Sequence, residues 1–248
     1  MRRAIVLQHV AFEGPARLAG LLNERGYSID LRRLDLGEVV PERVAEGDLL
    51  VVMGGPMGVG DADRPEYPFL RDELQLLRRC VSERSPVLGI CLGSQLLAHA
   101  AGAAVRTLRG PAGERSYEVG WGPIELQRIE APDPLLDQLP AQMPVLHLHG
   151  DTWELPAGAR LLASSARCRS QAFVLGSKLF GLQFHCEIDE AQVEALLRAD
   201  AAFVTRANGP AGVEEIRRDT ARWMTESWAF GQQLLRNILD AMTRPDPT

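Results

Sequence analysis

The chain has 248 residues, of which 46% are hydrophobic, enough to bury a sizeable core. A formal charge of −6, with no cluster of Lys and Arg, argues against a nucleic-acid partner, and no apolar segment has the length of a membrane span. Four scattered cysteines (Cys80, Cys91, Cys168, Cys186) form no CxxC pair, and the start "MRRAIVLQHV" lacks a signal-peptide pattern, so a cytoplasmic protein with reduced thiols is expected.

The elements alternate along the first hundred residues. "AIVLQHV" (4–10) reads as a short buried strand. "GPARLAGLLNERG" (14–26) reads as a helix closed by Gly26, and "YSIDLRRLDL" (27–36) as a strand and its exit. "DLLVVMGGP" (48–56) is an apolar strand that stops at two glycines and a proline. An amphipathic helix, "YPFLRDELQLLRRCVSER" (67–84), precedes the strand "PVLGI" (86–90) and the helix "LGSQLLAHAAGA" (92–103). This rhythm predicts right-handed crossovers and an α/β three-layer sandwich, flavodoxin-like, with a mostly parallel central sheet.

From about residue 104 the texture changes to short strands joined by turns: 104–108, 116–126, 143–151, 160–165, 171–176 and 179–187. They are read as extending the sheet and adding an antiparallel portion. Two helical segments follow, at 189–204 and 213–243, and the tail "RPDPT" cannot continue a helix. With no internal repeat and no biased linker, residues 1–248 are expected to form a single domain, a core of about 1–190 with a helical extension over about 190–243. Trp223, Trp228 and Phe230 in that extension are read as core packing, with a docking surface or homodimer contact as the alternative.

The stretch "GICLG" (89–93) has the form of a nucleophile elbow with cysteine in place of serine. Such a turn lifts the Cys91 side chain above the sheet edge and sets it at a helix N-terminus, where the helix dipole favours thiolate. A thiol nucleophile needs a base. His185 stands in "GLQFHCEID" at the end of an apolar strand, and Glu187, two residues on, shares its face in an extended chain. A carboxylate so placed can orient the imidazole. His99, in the helix after the elbow, reads as a face residue. The glycine-rich loop after "VVMGGP" puts free backbone N–H groups at the carboxyl edge of the sheet, where α/β enzymes bind ligands.

Together "GGP" (54–56), "PVLGICLGSQLLAHAAGA" (86–103), "EVGWG" (118–122), "HGD" (149–151) and "GLQFHCE" (181–187) resemble the class I glutamine amidotransferase family, in particular the glutaminase domain of GMP synthase. The resemblance covers roughly residues 45–190 and implies a Cys-His-Glu triad of Cys91, His185 and Glu187. It implies an oxyanion hole from the backbone N–H groups of Gly55 and Leu92. It also implies glutamine recognition by Gly54, Gln95, Gly120, Trp121, His149, Gly150 and Asp151, with Gly58 allowing close approach of the substrate. The reaction would release glutamate and ammonia through a γ-glutamyl thioester, with no cofactor and no metal. Two positions depart from the family pattern. Cys186 replaces the usual proline between histidine and glutamate, and Ser94 replaces a frequent methionine, which is expected to reshape the pocket rim.

Three alternatives accompany this reading. A metal site built on His147 and His149, with His185 and Cys91 nearby, follows from their spacing on one strand face. A stand-alone γ-glutamyl peptidase would use the same triad with a different leaving amine. A non-catalytic binding or regulatory protein would keep only the fold. The chain has no room for a synthetase domain after residue 190, so an ammonia acceptor would be a separate subunit.

Overall fold

Runs of aliphatic residues buried on both sides form the centre of the molecule, as parallel strands covered by two helical layers require. A computed structural model of the protein describes residues 2–129 and 132–244. The strands of the first half are β1 (Arg3–Gln8), β2 (Ser28–Arg33), β3 (Leu49–Val52) and β4 (Val87–Ile90). Its helices are α1 (Ala16–Glu24), α2 (Phe69–Glu83) and α3 (Leu92–Ala100). In the second half come β5 (Val105–Thr107), β6 (Glu118–Leu126), β7 (Gln142–His149), β8 (Asp151–Trp153), β9 (Ala159–Ser164), β10 (Ala172–Leu175) and β11 (Leu179–Leu182). The chain closes with α4 (Glu190–Ala199), α5 (Ala201–Asn208) and α6 (Gly212–Thr243).

Nine strands pair in the order β2-β1-β3-β4-β11-β10-β9-β6-β7. The first five run parallel, and the last four extend the sheet as an antiparallel meander. Period-two alternation decides which side chain meets which layer. Ala4 and Val6 of β1 pack with α1 and the C-terminal half of α6, whereas Ile5 and Leu7 pack with α2 and α3. β3 divides its side chains in the same way, Leu49 and Val51 against Leu50 and Val52. The carboxyl ends of β1, β3, β4 and β11 therefore open side by side on one edge of the sheet.

The structure departs from the expected elements in the second half of the chain. Residues 104–108 do not join the main sheet, because β5 pairs with β8 in a separate two-stranded ribbon. β8 itself is only three residues long and follows His149 and Gly150 directly, which hides it in the sequence. The helix expected over 189–204 breaks at Asp200, whose φ of −125° and ψ of 35° leave the helical region and begin α5. Aspartate favours such helix-start positions over helix interiors. The tail beyond Arg244 lies outside the described residues.

α6 is 32 residues long and buries one stripe along its length, including Ile216, Met224, Leu235 and Ile238. Trp228 and Phe230 are partly buried against the sheet core, and Arg17 lies over the Trp228 ring at 5.0 Å. Trp223 is partly buried under the Arg222 guanidinium, 4.4 Å from its ring centre. Leu235 is fully buried. Leu235→Ala is expected to lower the unfolding free energy by about 2–5 kcal/mol. Urea denaturation measures it, and a loss below about 1 kcal/mol would mean that α6 does not close this face of the core.

Candidate active site

β4 ends at Ile90, and α3 begins at Leu92, leaving one residue to make the corner. That residue is Cys91, with φ of 51° and ψ of −110°, a conformation L-residues rarely adopt. Strain of this kind costs of order 1–3 kcal/mol and persists only where the surroundings over-determine it. Here the Cys91 N–H donates to the Leu182 carbonyl at 2.7 Å, and the Gly93 N–H donates to Met53 at 3.2 Å. The Ser94 hydroxyl donates to the Cys91 carbonyl at 2.7 Å. The flanking glycines are sterically obligatory. A Cβ on Gly93 would lie 2.0 Å from the Val52 carbonyl oxygen, and one on Gly89 would lie 2.4 Å from the Gly93 oxygen. Ser94 is not on a pocket rim as expected. It is buried, and it accepts a hydrogen bond from the Trp153 indole at 3.2 Å, so it braces the elbow from behind.

β11 lies next to β4 and stops at Leu182, so residues 183–187 leave the strand earlier than their apolar pattern predicts. His185 is held by a two-way backbone bridge to Leu146 of β7, at 2.9 and 3.2 Å. Its Nδ1 meets Glu187 Oε1 at 2.8 Å. Glu187 Oε2 accepts the Cys186 N–H at 3.0 Å, a donor that a proline at this position would lack. The Cys186 side chain turns away and packs on α6, where only Gly231 leaves room for it.

The Nε2 atom of His185 has no conventional hydrogen-bond partner among the described residues, and the Cys91 thiol is near enough to favour a charged ring. Burial pulls the imidazole toward its neutral form, but Glu187 and Cys91 outweigh it and hold His185 well above its ordinary value. The thiol also lies 3.9 Å from the Leu148 carbonyl and 3.9 Å from the Gln183 amide nitrogen. Thiol, imidazole and carboxylate therefore stand in a row, each buried to within 6% exposure. Such a row can take a proton off sulfur and return it to a leaving group.

A cleft of about 410 Å³ lies next to this row: Leu92, which follows Cys91, and Leu148, whose carbonyl is 3.9 Å from the thiol, line it, whereas Cys91, His185 and Glu187 do not. Gly55, Leu92, Gln95, His149, Gly150 and Asp151, all singled out in the sequence, lie in its wall, as does Gly58. No hydrogen bond among the described residues engages the N–H of Gly55 or of Leu92. Gly54 stands just behind, crowded by Glu13 and His185. Gly120 and Trp121 are elsewhere. Gly120 backs onto Asn208 and Ile216, and the Trp121 indole donates to Thr220 of α6 at 2.9 Å.

The wall also holds groups the sequence did not mark. Glu13, Asp61 and Asp200 add carboxylates to that of Asp151, and Arg115 is the one Lys or Arg in the wall among the described residues. Burial raises the Glu13 carboxyl above its ordinary value, against the opposing pull of His185 and His9. Burial raises Asp200 as well. Glu13 had a usable signal, since it follows a buried parallel strand, where α/β proteins place ligands. Arg115 and Asp200 had none, because they arrive from a turn and a helix break far along the chain.

Behind the wall, Glu118, His147 and His149 bring ligand-type atoms within 4.8 Å of one another, the one such group among the described residues. Cys91 and His185 are not in it, contrary to the metal arrangement considered from the sequence. The Glu118 carboxylate is already tied by Ser165 at 2.7 Å and Gln171 at 2.7 Å, and faces His149 Nε2 at 3.3 Å. The cluster thus braces the turn that carries Gly150 and Asp151. Burial drives His147 down from 6.5 to about 4, so its ring is neutral at neutral pH.

A sequence model of the family described as glutamine amidotransferase class-I matches residues 16–200. The chain belongs to this family. It is 34% identical over 232 residues to the glutamine amidotransferase-like protein YfeJ of Salmonella typhimurium, covering 91% of this chain and 94% of that one. It is 33% identical over 190 residues to the glutamine-hydrolysing GMP synthase of Thermomicrobium roseum, covering 76% of this chain but only 30% of that protein. The crystal structure of a glutamine amidotransferase from Thermotoga maritima superposes with a TM-score of 0.80 at 30% identity, covering 97% of each chain. The family relationship and the element order thus agree on the α/β fold. No helix among the described residues is long and apolar enough to cross a membrane.

The buried imidazole of His147 makes stability depend on pH. Below 6.5 the unfolded chain takes up a proton that the folded state refuses until about 4, so stability falls as pH falls through that window. Glu118, held below its ordinary value of 4.5 although burial opposes this, because His149, His147 and Ser165 favour its charge, loses its contribution in the same direction as pH falls further. Urea unfolding between pH 7 and 4 is expected to show His147→Phe with a flatter acid limb than wild type, the full difference reaching about 3 kcal/mol. Parallel limbs would mean that the ring is charged in the folded state.

Proposed function

We propose that the protein hydrolyses the side-chain amide of glutamine, with Cys91 as nucleophile, His185 as base and acid, and Glu187 as the carboxylate that orients the ring. One observation carries this reading. Cys91 is held on a strained corner near enough to His185 to favour its charged ring, and the Nδ1 of that ring is tied to Glu187 at 2.8 Å. Family membership supports the reaction class, and the names of the relatives point to glutamine as substrate.

In this mechanism His185 Nε2 holds the proton given up by the Cys91 thiol, as its raised value favours, and Sγ attacks the amide carbon as a thiolate. The carbonyl oxygen becomes an oxyanion and receives the N–H groups of Gly55 and Leu92. The C–N bond breaks, the proton passes from His185 to nitrogen, and ammonia leaves. Water then attacks the γ-glutamyl thioester as His185 takes its proton, the C–S bond breaks, glutamate leaves, and the proton returns to the Cys91–His185 pair. The cleft suits an amino-acid head. In this reading Arg115, the one Lys or Arg in the wall among the described residues, binds the α-carboxylate, and Glu13 and Asp200 bind the α-ammonium.

Most of the Thermomicrobium relative has no counterpart in this chain. The names of the GMP synthase relatives support a synthetase partner that accepts the ammonia, which is part of the proposal, as is a cytoplasmic location, which suits the four free cysteines. Glutamate release from glutamine is expected for wild type and to fall at least about 10³-fold in Cys91→Ala. Equal release from both proteins would remove Cys91 as nucleophile. Release from γ-glutamyl peptides but not from glutamine would move the substrate to those peptides.

A further inference from the structure

His9 and Glu73 are fully buried, and the chemistry proposed for Cys91 uses neither. His9 follows β1, and Glu73 lies in α2. The His9 ring spans two acceptors. Nδ1 is 2.8 Å from the Gly54 carbonyl oxygen, and Nε2 is 2.9 Å from Glu73 Oε2. A carbonyl only accepts, so Nδ1 carries a hydrogen whichever of His9 and Glu73 holds the second proton. The ring packs against Phe69, with centroids 5.9 Å apart, which limits its tilt. His9 is the only hydrogen-bond partner of the Glu73 carboxylate among the described residues. A buried carboxylate with a single partner holds that partner firmly, since releasing it leaves a charge unpaired.

The atom that His9 grips belongs to a particular peptide. The Gly54 carbonyl and the Gly55 N–H share one trans amide plane and point in opposite directions. A carbonyl drawn inward to His9 turns the N–H outward, to the side where Gly55 and Leu92 line the cleft. Two adjacent glycines and a loop would otherwise leave this plane free to rotate.

We infer that His9, anchored by Glu73, is a positioning residue that fixes the Gly54–Gly55 peptide with its N–H aimed into the cleft, so that the oxyanion donor is set before substrate arrives. This deepens the acyl-transfer reading above and rests on it for its kinetic consequence. The groups that act on the ring are Glu73 across it, Gly54 at Nδ1 and Glu13 from the cleft side, while Asp35 feels its charge from the edge of the sheet. Burial opposes the charged ring, but these partners overcome it and hold His9 above its ordinary value.

Asparagine can present its amide N–H near the place of Nδ1, whereas leucine cannot donate. His9→Leu is expected to lower kcat for glutamine about 10–100-fold with KM changed less than about threefold, because a misaimed oxyanion donor affects the transition state more than the ground state. His9→Asn is expected to recover most of that loss. Alkylation of Cys91 by iodoacetamide forms no oxyanion, and its rate is expected to stay within about threefold of wild type in both variants. If kcat and alkylation fall together, or kcat is unchanged in His9→Leu, the inference is overturned. Should His9→Leu not fold, Glu73→Leu serves as the second lesion, with Glu73→Gln as its rescue, judged by the same criteria. Crystal structures of wild type and variant separate this idea from the reaction assignment. A Gly54 carbonyl that keeps its direction without the His9 donor overturns the inference even if wild type hydrolyses glutamine. A wild type inactive on glutamine overturns the reaction assignment, while a rotated carbonyl in the variant still supports the anchoring.

Discussion

The corner at Cys91 depends on how closely a helix can be brought to the end of a strand. α3 starts one residue after β4, so its first turn must pass against both β4 and β3 with no side chain between them. Gly89 and Gly93 supply those bare surfaces, because a Cβ at either would fall well inside van der Waals contact with backbone atoms. The cost appears as the strained backbone of Cys91, held by its bond to Leu182 at the end of β11, by the bond of Gly93 to Met53 just past β3, and by Ser94. Loosening any of these would let the thiol drop back toward the sheet. The corner also exposes the Leu92 N–H at a helix start, where helix geometry leaves it without an internal acceptor.

Among the described residues, three of the four buried imidazoles lie within 3.3 Å of a glutamate, and the fourth, His147, is 3.9 Å from Glu118. His185 faces Glu187, His9 faces Glu73 and His149 faces Glu118. Each pair lets two ionisable groups leave water together, which neither would tolerate alone. Their duties differ by what else each ring touches. His185 leaves Nε2 without a conventional partner among the described residues. His9 spends both nitrogens on its partners and so acts as a strut. His149 spends Nδ1 on the Asp151 carbonyl at 3.0 Å and so shapes the wall turn. Under the proposed mechanism the same residue type serves chemistry, alignment and architecture within one edge of the sheet.

The antiparallel half of the sheet contributes through β7. Its bridge to His185 reaches past the end of β11 and holds a residue that the strand itself no longer supports. The Cys186 side chain, wedged at Gly231, ties the same short segment to α6. The His185–Glu187 pair is therefore clamped from both sides, which suits a group that must receive and return a proton without moving.

Much of the architecture and the row of Cys91, His185 and Glu187 were legible in the sequence, because their signals are local. A glycine two positions either side of a cysteine reports a tight corner, and apolar runs ending in glycine report parallel strands. The place of Gly120 and Trp121, the β5–β8 ribbon and the break at Asp200 were not legible, since each is decided by what packs against it. Glu13, Arg115 and the His9–Glu73 pair belong to the same class. Charged residues from distant segments carry no pattern of their own. Only the folding of β1, β3, β4 and β11 side by side brings His9 to Gly54 and His185 to Cys91. Sequence periodicity records which residues avoid water, whereas the partner of a buried polar group is chosen by tertiary distance.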